Sequence, residues 1–135
     1  MTDHAKHITG IILITMPTIQ YGGYFLLKVL SGNRPGLTDF QKSMFRAGHA
    51  HAGVLVIFSI LAQLLIDNAN VTGGVEYFLR LGFPAAAILV SGGFFASAAG
   101  KGRTGPNASI SILYLGAILL ATVFIFLGVE LIKAS

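Results

Sequence analysis

The sequence predicts an all-α fold: an integral membrane bundle of four transmembrane helices, forming a single domain over residues 1–135. Three observations carry this prediction. Hydrophobic residues make up 54% of the chain and charged residues only 10%, against about 25% charged in a soluble domain. That leaves too little polar surface to coat a soluble globule. The mean hydropathy of +0.78 excludes disorder. The apolar residues gather in four stretches, each near the ~20 helical residues that a ~30 Å hydrocarbon layer requires.

The first stretch runs from about 8 to 30. Its length, Pro17, Gln20 and the lack of an A-x-A site after it predict a retained span rather than a cleaved signal peptide. Ser31-Gly32-Asn33-Arg34-Pro35-Gly36 closes it. The second span covers about 46–66. Thr38-Asp39-Phe40-Gln41 reads as a capping box, so this helix is expected to begin near Asp39, before the membrane. Asp67-Asn68-Ala69-Asn70 and Gly73-Gly74 end it. The third span, about 77–99, contains Pro84, which marks a kink or a helix start after a short interfacial segment. Gly100 to Pro106 ends it, and Pro106-Asn107 is the expected start of the fourth, about 108–132. There is no linker and no low-complexity tract. Gly22-Gly23 and Gly92-Gly93 at similar depths are the sole trace of an internal repeat.

The absence of cysteine excludes disulfides, thiolate chemistry, Zn–Cys sites and iron–sulfur clusters. The net charge is +4, yet the basic residues stand singly and form no patch, so no nucleic-acid partner is expected. Lys28, Arg34, Lys42, Arg46, Lys101 and Arg103 flank the loops after the first and third spans. The opposite side has Lys6, Arg80 and Lys133, offset by Asp3, Asp67, Glu76 and Glu130. The positive-inside rule then places both termini outside, most simply across a bacterial inner (plasma) membrane.

One constellation carries chemistry. Phe45-Arg46-Ala47-Gly48-His49-Ala50-His51-Ala52-Gly53 puts two histidines inside the start of an apolar span. Ionisable residues are costly there and are functional candidates. Histidine is also the usual ligand of haem iron and of many transition metals. At ~100° per residue, His49 and His51 lie on nearly opposite helix faces and cannot chelate one ion together. The His49 face continues through Arg46, Gly53, Val56 and Gln63, is smaller and more polar, and is expected to point inward. The His51 face continues through Gly48, Leu55 and Ala62, toward another helix, a second subunit or lipid. Counting ~1.5 Å per residue brings Tyr24, Tyr114 and Ser111 level with the histidines, with Gly23 and Gly92 just deeper. The candidate cofactor residues are therefore His49, His51, Arg46, Tyr24, Tyr114, Gly23, Gly53 and Gly92, with His49 and His51 as metal ligands and His49 the principal one. Against this, small residues also serve close helix packing, tyrosines anchor at interfaces, and Arg46 can snorkel to lipid phosphate. His4 and His7 are expected to form a solvated terminus.

The string Arg46-Ala47-Gly48-His49-Ala50-His51-Ala52-Gly53 resembles motifs of uncharacterised small four-span bacterial membrane proteins. More loosely, Gly-His-x-His at the start of a span resembles the haem-ligand helices of haem–copper oxidase subunits. That resemblance implies a haem ligand. It does not imply the haem–copper centre, because this chain lacks the further span-borne histidines. An Arg-Ala-His run also opens the second span of the four-span glutathione-transferase-like eicosanoid enzymes, but the Asn and Glu that should follow are missing here.

The leading expectation is a redox-associated membrane protein that binds haem b or a transition metal through an intramembrane histidine. Alternatives are an oligomeric transporter or channel lined by Arg46, His49 and Gln63, and a structural or assembly subunit of a larger membrane complex. A lipid-directed enzyme ranks below these, since no Ser/His/Asp set, P-loop or H-E-x-x-H occurs. Small residues spread over all four spans predict a homo-oligomer, most simply a dimer, in the lipid bilayer.

Overall fold

The computed structural model describes residues 1–32 and 36–135. Asn33, Arg34 and Pro35, assigned to the first loop on sequence, lie outside the described residues. Four helices follow one another: α1 (Asp3–Leu30), α2 (Asp39–Ile66), α3 (Gly73–Ser97) and α4 (Ile110–Ala134). All four are long and apolar enough to cross a membrane. The chain is thus an all-α four-helix bundle with the composition of a membrane protein.

The helix starts follow local chemistry. Thr2 caps α1, its hydroxyl accepting from the Ala5 N–H at 3.3 Å. The helix therefore begins a turn before the apolar stretch. The capping box at α2 is present in full: the Thr38 hydroxyl accepts from Gln41 N, and Gln41 Oε1 accepts from Thr38 N. Three expected boundaries shift. Gly73 opens α3 rather than closing α2, with a positive φ of 63° that glycine adopts freely. Pro84 lies within a continuous α3 and does not start it. Pro106-Asn107 precedes a turn, so α4 starts at Ile110.

Neighbours in sequence are neighbours in space. Thr2 at the start of α1 meets Asp67 at the end of α2, and Gln41 at the start of α2 meets Ala98 after α3, so the helices alternate in direction. α1 packs mainly on α2, and α4 on α3, while α1 and α4 do not touch among the described residues. The bundle is open on that side.

Small residues set the closeness of the central contacts. A Cβ on Gly93 would lie 2.4 Å from Leu113 N, and one on Gly116 would lie 2.7 Å from Val90 N. α3 and α4 therefore cross nearly backbone to backbone, the packing available when lipid is as apolar as the protein. Ala62, Ile66, Leu79, Phe83, Val123 and Leu127 fill the half of the α2–α3–α4 core nearer the chain termini. Leu55, Ala87 and Val90 continue it away from the termini.

Candidate functional site

The most deeply buried seam of α2 runs through Gly48, Leu55, Ser59, Ala62, Gln63 and Ile66. It faces α3: a Cβ on Gly48 would meet the Phe95 ring at 2.9 Å. Part of the helix face continuing from His51 therefore packs on another helix. His49 projects from a different side of α2, toward α1.

The edge of the His49 ring rests on the α1 backbone. A Cβ on Gly22 would lie 3.3 Å from Nδ1, and one on Gly23 would lie 3.3 Å from Nε2. Glycine at both positions lets the imidazole approach this closely. Gly23 is thus brought to His49 as the depth argument expected. The contact leaves no thickness for a porphyrin plane between that ring edge and α1.

His51 is exposed on the bundle surface and packs against Phe94, with ring centroids 4.9 Å apart. Its Nδ1 is 2.8 Å from the Ala47 carbonyl oxygen. A carbonyl only accepts, so Nδ1 carries the proton and Nε2 of the neutral ring holds the lone pair. This geometry fixes the tautomer in the way that metal-ligating histidines usually require.

The remaining candidates do not converge on either ring. Tyr24 is exposed and lies under Lys28, whose Nζ is 4.5 Å from the ring centroid. Tyr114 is exposed on α4. Arg46 is exposed. Nothing approaches a Cβ placed on Gly53 or Gly92 within 4 Å. Gln63, expected beside Arg46 and His49 along a transport route, is instead fully buried against α3. No group of three or more potential ligands gathers around a metal position among the described residues.

A polar cluster that the sequence reading did not single out surrounds Arg80, only 1% exposed. Its Nε donates to Glu76 Oε1 at 2.8 Å and its Nη2 to Asp67 Oδ1 at 2.6 Å. Nη2 also reaches Thr2 Oγ1 at 3.2 Å, and Nη1 reaches Gln63. The terminus read as solvated joins in: His4 Nδ1 is 3.5 Å from Glu76 Oε1, and the Tyr77 hydroxyl is 3.3 Å from His4 Nε2. Burial raises the Asp67 pKa, but hydrogen bonds from Arg80 and Thr2 outweigh it and hold the carboxyl at about 2. The signal was available: Gln63 and Asp67, and Glu76 and Arg80, are each four apart and share a helix face. This cluster is a clamp on the ends of α1, α2 and α3 that lie on the side of the chain termini, with every charge paired.

Compared with family models, curated proteins and solved structures, the chain matches none of them. The site therefore rests on its geometry.

Proposed function

We propose that this chain is a redox-associated membrane protein that binds haem or a transition metal through α2, with His51 as the protein ligand. The observation that carries this reading is the 2.8 Å contact from His51 Nδ1 to the Ala47 carbonyl, which leaves Nε2 outward on an exposed face. His49 lies against Gly22 and Gly23, so the ligating role is better suited to His51. One histidine supplies one axial position. A second copy of the chain, related by a two-fold axis beside α2, supplies the other from its own His51. The protein is on this reading a homodimer in the bilayer.

We place it in a bacterial plasma membrane with both termini outside. The inner loops carry most of the lysines and arginines, and Arg80 on the outer side is neutralised by Asp67 and Glu76.

The test is an absorbance spectrum with elemental analysis of protein purified from haem-supplemented cells. The expected result is a Soret band, or stoichiometric metal, that His51→Ala abolishes and His49→Ala leaves largely intact. Protein with neither haem nor metal would sink the reading and favour a structural subunit of a larger complex.

A further inference from the structure

A cavity of about 360 Å³ lies between α1, α2 and α3, and His51 is not among its lining residues. Its volume falls in the range of small-molecule sites, which are mostly apolar with a few polar groups. Ile12, Ile19, Val56 and Ala87 supply apolar walls. The hydroxyls are the informative part. Those of Thr15, Thr18 and Ser59 each donate to a carbonyl of their own helix, at 2.7, 2.6 and 2.7 Å. Ser91 differs: it lines the cavity, is 7% exposed, and its Oγ has no hydrogen-bond partner among the described residues. An unpaired hydroxyl in an apolar site is costly, and an acceptor in the cavity would remove that cost.

The depth of Ser91 narrows the choice of acceptor. It lies six residues inside the end of α3 at Ser97, about 9 Å along the axis. Phospholipid ester carbonyls stay near the headgroups, so an acyl chain reaching this depth brings no acceptor. The occupant must carry a hydrogen-bond acceptor into the hydrocarbon itself, and a carbonyl oxygen is one that a mostly apolar, membrane-soluble molecule can bring. His49 does not line the cavity; it stands one helical turn before the cavity-lining Ala52, with its imidazole against Gly22 and Gly23.

We infer that this cavity binds a membrane-soluble quinone, its ring between α1 and α3 and one carbonyl accepting from Ser91 Oγ. The inference does not depend on His51 and stands or falls separately from the metal reading.

The test uses the purified full chain in lipid nanodiscs, titrated with decyl-ubiquinone, with decylbenzene as a carbonyl-free probe of matching shape. Saturable binding of the quinone is expected. Ser91→Ala should weaken it by about tenfold, the share of one hydrogen bond, and Ser91→Thr should retain it. Ala87→Leu, which fills the cavity, should abolish it, while His51→Ala leaves it unchanged. Decylbenzene should bind no more tightly to the native chain than to Ser91→Ala. Equal binding of both probes, or quinone binding indifferent to Ser91→Ala, would overturn the inference and mark the cavity as a slot for lipid tails. Retained helicity and melting temperature in Ser91→Ala separate loss of the site from loss of the fold.

Discussion

Gln63 and Arg80 hold one another in both directions across the α2–α3 interface. Gln63 Nε2 donates to the Arg80 carbonyl at 3.0 Å, and Arg80 Nη1 donates to the Gln63 carbonyl at 3.3 Å and to its Oε1 at 3.4 Å. The pair locks the rotation of α2 against α3 near the end of the bundle that holds the termini. It also orients the guanidinium so that its other nitrogens meet Glu76 and Asp67.

Removing Arg80 takes from Asp67 and Glu76 the guanidinium they share. Arg80→Ala is expected to cost about 3–5 kcal/mol, the range for breaking a buried ion pair from one side. Gln63→Leu should cost about 1–3 kcal/mol through unsatisfied groups on Arg80. Because the two share a network, the double variant should cost less than the sum of the singles. Denaturant unfolding in a mild detergent measures all three. Strict additivity would show that the contacts between them contribute nothing.

Acid should loosen the same clamp. The Asp67 carboxyl is held at about 2 in the folded chain, against about 3.9 unfolded, so folding favours its ionised form. The contribution, about 2 kcal/mol, is fully present above about pH 5 and is lost as pH falls through 4 toward 2. The melting temperature should fall over that window. Asp67→Asn should start lower at pH 7 and lose less on acidification. An Asp67→Asn curve parallel to that of the native chain would assign the acid sensitivity elsewhere.

How far the sequence could be read depended on dimension. Depth along a helix is a one-dimensional count, so the four spans, the Thr38–Gln41 cap and the level of Gly23 beside His49 were legible. Rotation about a helix axis is set by packing. Tyr24 and Tyr114 have the right depth but face outward. α4 is apolar all round, so no periodicity marks its inner side. Arg80 was counted as an outer-side charge, and its burial depends on partners from α1 and α2 that only the folded chain assembles.

Adjacent glycines on α3 should behave oppositely. A Cβ on Gly93 would press into the Leu113 backbone, which cannot move aside without separating α3 from α4. Gly93→Ala should therefore cost about 1–3 kcal/mol, as overpacking does. Gly92 is exposed, with nothing within 4 Å of a Cβ. Gly92→Ala should gain about 0.5–1 kcal/mol from helix propensity. Thermal unfolding of the two single variants checks the contrast. If Gly92→Ala also destabilises, Gly92 is covered in the native assembly, which would place a second subunit on that face of α3.

At the end of the bundle away from the termini Gln41 joins two helices with one side chain. Its Oε1 accepts from Thr38 N at 3.2 Å, completing the α2 cap, while its Nε2 donates to the carbonyls of Ala98 at 2.9 Å and Gly100 at 2.7 Å. Carbonyls at the end of α3 would otherwise lack donors. Gln41 is 2% exposed, so water cannot take over. The amide is required at both ends, and this makes the isosteric change to glutamate informative. Gln41→Glu keeps an acceptor for the cap but turns a donor into an anion facing two carbonyl oxygens. Gln41→Ala loses the cap partner and the donors but introduces no charge. Gln41→Ala is expected to cost about 1–3 kcal/mol, and Gln41→Glu more at pH 7. The gap should close at low pH, where protonation restores a donor. Unfolding measured at pH 7 and pH 4 for both variants decides it. If glutamate were tolerated better than alanine at pH 7, the cap would be the main role of Gln41 and the bridge to α3 incidental.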